Sequence, residues 1–187
     1  REALAEPGHL ALIGKAGCGK TTVLRLLATV LAEQNLALAQ SWLGWRDGPL
    51  PITVYLALRD FEHACQTKPA KYGRNVESLL RFLDDHFAQW HPKRVAPGFV
   101  GRLVQSGQAW LLIDALDEVP DFDHRIDVRR AIEGLASEFP QNRMLVTARV
   151  AAYTQANTRL DERFNVAAVR DLTTAQWTPL IQRLYAG

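Results

Sequence analysis

The stretch LIGKAGCGKTT, from Leu12 to Thr22, places three glycines, two lysines and two threonines directly after an apolar run. Residues 14–21 fit the pattern G-x-x-x-x-G-K-[ST] at every fixed position. Glycines let the backbone curl without Cβ clashes, so that its N–H groups converge on one anion. A helix that begins at Lys20 directs the positive end of its dipole toward the same point. The stretch therefore predicts a phosphate-binding loop between a strand and a helix.

The last two residues of the pattern carry its side-chain chemistry. Lys20 supplies a mobile positive charge for β- and γ-phosphates, and Thr21 supplies a hydroxyl oxygen that suits Mg²⁺. The alternative, a glycine-rich turn with Lys20 on the surface, is disfavoured because a strand precedes the loop and a helix follows it. We therefore expect ATP or ADP and Mg²⁺ as cofactors, with the nucleotide bound by Gly14, Ala16, Gly17, Cys18, Gly19, Lys20, Thr21 and Thr22.

A second stretch, AWLLIDALDEV over residues 109–119, puts an apolar strand directly in front of three carboxylates. A buried carboxylate is costly unless a positive group or hydrogen-bond donors meet it. Asp114 ends the strand, and we expect it to lie across the sheet from Thr21 as the second ligand of the Mg²⁺ ion. Asp117 and Glu118 follow at the mouth, where one of them can orient water toward the γ-phosphate as a catalytic residue. The alternative is that both are solvated turn residues that cap the next helix.

A third stretch, RMLVTAR over residues 143–149, has Thr147 and Arg149 at the end of another apolar strand. A guanidinium at that edge can sense or neutralise a γ-phosphate, so Arg149 is the third candidate catalytic residue. The alternative is that Arg149 pairs with a local acid such as Asp117.

Apolar runs and helical periodicities alternate along the rest of the chain. Strands are predicted near residues 9–13, 51–58, 109–114, 143–148 and 164–169, and helices over 21–34, 75–90, 97–107 and 124–139. The polar residues 64–75 are predicted to form a loop, and a capping box of Thr173 and Gln176 predicts a last helix to about Tyr185. Such alternation is typical of an α/β protein with a mostly parallel sheet, whose ligands bind beyond the carboxyl ends of the strands.

Composition excludes several other classes of protein. A net charge of +2 without a cluster of basic residues argues against nucleic-acid contact. No apolar run approaches the roughly 18 residues of a membrane span, and two cysteines give no disulfide framework. We therefore expect no membrane contact, free thiols and a cytoplasmic location. The chain begins at Arg1 and its only methionine is Met144, so we expect it to be part of a longer protein.

Together the three stretches resemble a NACHT module of the STAND class of nucleotide-triggered switch ATPases, which includes NOD-like receptors and bacterial antiphage sensors. Residues 12–28, LIGKAGCGKTTVLRLLA, resemble the Walker A region of that family, and residues 111–119, LLIDALDEV, resemble its Walker B region. The small residue Ala115 after Asp114 distinguishes this pattern from the AAA+ pattern, in which Glu follows Asp directly. Residues 143–149 resemble the sensor strand, with Ala148 as a mild departure. The resemblance extends from about Gly8 to Tyr185.

The resemblance implies a three-layer P-loop NTPase fold of the ASCE/AAA+-like kind, with a five-stranded, mostly parallel sheet in the order 2-3-4-1-5 and helices on both faces. It implies that residues 1–187 are the nucleotide-binding domain, separated from helical, winged-helix, sensor and effector domains. The implied function is slow hydrolysis of Mg-ATP in an oligomerisation switch of innate immunity or antiviral defence. The implied partners are the protein's own downstream domains and further copies of the full-length protein.

Other P-loop classes fit less well. A GTPase would carry Asn-Lys-x-Asp and Asp-x-x-Gly, and neither motif occurs. A small P-loop kinase, or another P-loop ATPase, is the main alternative, with Arg125, Arg129 and Arg130 as an arginine lid; their spacing is more typical of a solvated helix face. A module that binds nucleotide and hardly hydrolyses it would have the same site.

Overall fold

The computed structural model describes residue 4 and residues 8–45, 49–90, 95–155 and 158–170. Its centre is a sheet of five parallel strands: β1 (His9–Gly14), β2 (Ile52–Ala57), β3 (Ala109–Asp114), β4 (Arg143–Arg149) and β5 (Phe164–Ala168). The strand order is β2-β3-β4-β1-β5, as predicted. The predicted helix from Thr173 to Tyr185 lies outside the described residues.

Helices connect the strands and cover both faces of the sheet. They are α1 (Lys20–Ala32), α2 (Leu36–Leu43), α3 (Leu58–Thr67), α4 (Val76–Trp90), α5 (Phe99–Gln105), α6 (Phe122–Glu138) and α7 (Val150–Tyr153), with a 3₁₀ turn at Leu116–Glu118. Among the described residues, no helix has the length and apolar character needed to cross a membrane.

Side chains alternate between two apolar cores because successive residues of a strand point to opposite faces of the sheet. On one face α1 and α2 pack over a core that includes Leu24, Leu27, Leu31, Leu10, Leu112 and Leu145. On the other face α3 to α6 pack over a core that includes Phe61, Leu83, Leu135, Ala11, Leu111 and Ile113. All six residues of β3 are buried. The alternation places Asp114 on the same face as Leu112, which is the face where α1 begins.

Two helices differ from the prediction. Residues 64–67, predicted as a loop, are the end of α3, which begins at Leu58 where the prediction still had strand. This helix was missed because its buried residues, Leu58, Phe61, Glu62 and Cys65, include a charged one. Helix α2 was not predicted; Asn35 begins it by accepting a hydrogen bond from the Leu38 N–H at 3.1 Å. Asn75 begins α4 in the same way, since its side chain accepts a hydrogen bond from the Ser78 N–H at 2.9 Å.

Candidate nucleotide-binding site

The glycine-rich loop after β1 curls around a cleft of about 200 Å³ that is lined by Gly17, Gly19, Lys20, Thr21 and Thr22. Gly17 and Gly19 have φ angles of 73° and 92°, in the left-handed region that favours glycine. A Cβ at position 14 would lie 2.5 Å from Cys18 Sγ, so any other residue there would displace the Cys18 side chain. Five of the eight residues predicted to bind nucleotide therefore line one concave surface.

The N-terminus of α1 opens toward the same cleft. Gly19 precedes the helix without a side-chain cap, and Val23 makes the first backbone bond of the helix, to the Gly19 carbonyl at 2.9 Å. The amides before Val23 have no partner inside the helix. Three or four N–H groups and the positive end of the helix dipole are thus available to an anion.

Lys20 lies across the loop rather than out in solvent. Its Nζ donates hydrogen bonds to the carbonyl oxygens of Lys15 at 2.8 Å and Gly14 at 3.1 Å. The ammonium group is therefore held within the phosphate loop. Its two present partners are neutral carbonyl oxygens, which phosphate oxygens can replace.

Asp114 answers the question of how a carboxylate is stabilised at the end of an apolar strand. Its side chain is buried, and three hydroxyl groups donate to it. Thr147 Oγ1 lies 2.6 Å and Thr21 Oγ1 lies 3.2 Å from Oδ1, and the Tyr55 hydroxyl lies 2.9 Å from Oδ2. These bonds meet the requirement that a buried charged group be hydrogen-bonded.

The pair of Thr21 and Asp114 fits a magnesium ion. Mg²⁺ is commonly held by one or two carboxylates and hydroxyls together with phosphate oxygens and water. Both side chains offer hard oxygen atoms, and Thr21 Oγ1 is 3.2 Å from Asp114 Oδ1. Within the described ranges no group of three or more His, Cys, Asp or Glu residues is arranged to hold a metal.

Sequence reasoning missed two of the hydroxyl groups on Asp114. Thr147 was noted only for its position, yet its Oγ1 also accepts a hydrogen bond from the Ala115 N–H at 2.8 Å. Ala115 has a φ of 63°, which costs roughly 1–2 kcal/mol for a residue with a Cβ. Thr147 therefore secures both Asp114 and the strained turn that follows it. Tyr55 lies on β2, two residues before Ala57, which is in register with Asp114.

The three candidate catalytic residues are arranged differently from one another. Asp117 Oδ1 accepts a hydrogen bond from the Arg149 backbone N–H at 2.9 Å, and Asp117 Oδ2 forms an ion pair with Arg149 Nε at 2.9 Å. The Asp117 side chain is 7% exposed and that of Arg149 is 55% exposed. Glu118 is exposed on the 3₁₀ turn. The pairing of Arg149 with a local acid, which the sequence left open, is thus the one that the structure contains.

The alternative that Asp117 and Glu118 cap the next helix does not hold, because the cap is another residue. The side chain of Asp121, not that of Asp117 or Glu118, accepts from the His124 N–H at 2.9 Å and begins α6. The carboxylates of Asp117 and Glu118 in the 3₁₀ turn therefore do not cap α6.

The fold and the site together define a class. A parallel sheet in this order, with a phosphate loop between β1 and α1 and a carboxylate at the end of β3, is the nucleotide-binding domain of a P-loop NTPase. The NACHT domain family model matches residues 9–186, and the chain belongs to that family. No curated protein sequence matches the chain.

Solved structures with low sequence identity share the fold. PCH-2 of C. elegans has a TM-score of 0.51 and 14% identity over 94% of this chain and 38% of its own. The Aeropyrum pernix ORC1 protein, solved in complex with DNA, has a TM-score of 0.51 and 18% identity over 97% of this chain and 46% of its own. Domain III of the Thermotoga maritima replication initiation protein DnaA has a TM-score of 0.53 and 13% identity over 100% and 67%. The chain thus spans less than half of the first two proteins.

Proposed function

We propose that this domain binds Mg-ATP and hydrolyses it slowly, as the nucleotide switch of a STAND signalling ATPase. The observation that supports this most directly is the convergence of Lys20, Thr21 and Asp114 at one edge of the sheet, with the hydroxyl of Thr21 3.2 Å from the carboxylate of Asp114. A phosphate chain needs the lysine and the loop amides, and its magnesium ion needs the other two side chains.

In the proposed mechanism the loop amides and Lys20 hold the β- and γ-phosphates, and Thr21 and Asp114 hold the Mg²⁺ ion. Bound magnesium would neutralise charge on the phosphate oxygens. Arg149 would contact the γ-phosphate after leaving Asp117, and its separation would free the Asp117 carboxylate to accept a proton from water. Because Asp117 Oδ2 and Arg149 Nε are 2.9 Å apart, this opening has a cost, which supports slow rather than rapid turnover.

We further propose that residues 1–187 act within a longer protein, whose helical and winged-helix domains close over the nucleotide. Self-assembly of the full-length protein in innate or antiviral defence would be the output. These proposals rest on membership of the NACHT family. We propose no direct contact with nucleic acid, because the net charge of +2 comes without a cluster of basic residues.

Nucleotide binding is expected to protect Cys18 from alkylation. Its Sγ lies inside the loop, 3.8 Å from Lys20 Nζ, so bound phosphates would block access to it. We expect saturating Mg-ATP or Mg-ADP to slow its reaction with iodoacetamide at least about tenfold, as followed by intact mass at pH 8.

Cys65 is the internal control for this experiment. It is buried, its Sγ donates to the Gly73 carbonyl, and burial raises the pKa of its thiol to about 11. Because the thiolate is the reactive form, Cys65 should stay unmodified in both conditions. An equal rate at Cys18 with and without nucleotide would contradict the assignment of the phosphate loop.

Hydrolysis is expected to depend on the acidic pair of the 3₁₀ turn. The double variant Asp117→Asn, Glu118→Gln should keep ATP affinity within about threefold and slow phosphate release at least tenfold, because it removes both candidate proton acceptors. The matched control is Asp123→Asn, an exposed carboxylate in the first turn of α6. Unchanged phosphate release in the double variant would exclude both residues from catalysis. Formation of a phosphorylated small molecule instead of free phosphate would favour a kinase.

A further inference from the structure

The Tyr55 hydroxyl has a defined direction in the cluster around Asp114. It donates a hydrogen bond to Asp114 Oδ2 at 2.9 Å. An ionised carboxylate only accepts hydrogen bonds, so the Tyr55 proton points at Asp114.

The two oxygens of Asp114 thus have separate partners. Oδ2 is bound by Tyr55, whereas Oδ1 lies beside Thr147 and Thr21. Losing the bond to Oδ2 would leave the carboxylate held through Oδ1 alone and would loosen its orientation about the Cβ–Cγ bond. An ion that binds at Oδ1 and Thr21 would then have to fix the orientation of the Asp114 carboxylate, and this loss of conformational entropy would weaken its binding.

We propose that Tyr55 is a positioning residue for magnesium: it holds Asp114 so that Oδ1 remains beside the Thr21 hydroxyl. This inference rests on the proposed function, because it concerns the ion that would accompany the nucleotide. It adds a residue from edge strand β2, outside the three sequence stretches that indicate the site.

The test is the magnesium dependence of nucleotide binding in Tyr55→Phe, which removes one oxygen and keeps the ring. Affinity for a non-hydrolysable ATP analogue is measured by calorimetry in EDTA and across a Mg²⁺ titration. We expect the Mg²⁺ concentration at half-maximal effect to rise about tenfold, the scale of one hydrogen bond to a charged group. Affinity in EDTA should remain that of the wild type.

Tyr72→Phe is the matched control. Its hydroxyl also donates to an aspartate, Asp85 Oδ2, but Tyr72 belongs to the core on the other face of the sheet from α1. The magnesium midpoint of this variant should not change. An unchanged midpoint in Tyr55→Phe, or an equal loss of affinity in EDTA and in Mg²⁺, would overturn the inference and leave the proposed function standing. Absence of analogue binding by the wild-type protein would overturn both.

Discussion

Replacing Lys20 with alanine is expected to weaken ATP binding about 100-fold, which corresponds to roughly 2.7 kcal/mol. Lys20 Nζ already lies against the carbonyls of Gly14 and Lys15 at the mouth of the loop. The variant therefore loses a charge-assisted contact to phosphate without a compensating rearrangement. Titration calorimetry in Mg²⁺ measures the loss directly.

Net charge and folding are controlled separately in this experiment. Lys68→Ala removes the same charge from an exposed position just after α3 and should bind ATP like the wild type. Because Lys20 contacts only loop carbonyls and Cys18 among its hydrogen-bond partners, Lys20→Ala should unfold at nearly the wild-type urea concentration. Wild-type ATP affinity in Lys20→Ala would refute the phosphate-loop assignment.

The second large effect is expected on stability, at the buried carboxylate of Glu62. Arg74 donates to both of its oxygens, at 2.8 and 2.7 Å. Gln66 also donates to Oε1, and His124 Nδ1 lies 2.9 Å from the same oxygen. The side chains of Glu62 and Arg74 are 3% and 18% exposed. Arg74→Ala leaves this carboxylate without its main cation, so we expect the free energy of unfolding to fall by about 3–5 kcal/mol.

Arg59→Ala is the matched control on the same helix as Glu62. Arg59 pairs with Asp60 at 3.5 Å, and both side chains are more than half exposed. Such a pair contributes about 0–1 kcal/mol, so urea unfolding should barely change. Equal losses in Arg59→Ala and Arg74→Ala would mean that the buried pair has no special role.

The pH dependence of this effect has a definite sign. Burial by itself would raise the pKa of Glu62, but hydrogen bonds from Arg74 and Gln66 outweigh it and hold the pKa below the ordinary value of 4.5. A lowered pKa in the folded state stabilises the protein above the unfolded value, and the contribution is lost as pH falls through the folded value. The difference in free energy of unfolding between the wild type and Arg74→Ala should therefore have its full size at pH 6 and become steadily smaller below pH 4.5.

The parts of the molecule that the sequence predicted depend on local patterns. The phosphate-binding pattern could be read from the sequence because it spans only eight consecutive residues, 14–21. The glycines in it also show where the backbone must curl. The strands β3 and β4 are predictable because each has an apolar run, at residues 109–113 and 144–146, and ends at a charged residue, Asp114 or Arg149. The strand order came from family resemblance, since no local pattern encodes which strands become neighbours.

The parts that were missed depend on contacts between residues far apart in the chain. Tyr55 meets Asp114 across 59 positions, and Glu62 meets His124 across 62. Each is an ordinary polar residue until the parallel pairing of β2 with β3, or the packing of α3 near α6, gives it a partner. The pairing of Asp117 with Arg149 was foreseen only as one of two alternatives, because the choice between a protein acid and a phosphate is decided by geometry and ligand.

The position of β1 in the sheet has a consequence for biosynthesis. This strand precedes the phosphate loop, and its partners in the sheet are β4 and β5. Leu10 can pair with Leu145 only after about 135 further residues have been synthesised. At translation rates of roughly 5–20 residues per second, that wait lasts roughly 7 to 27 s. An apolar strand without its neighbours is a target for chaperones and for aggregation during this interval. The nucleotide site is thus completed late in synthesis, and ATP can stabilise the domain only once β4 has left the ribosome.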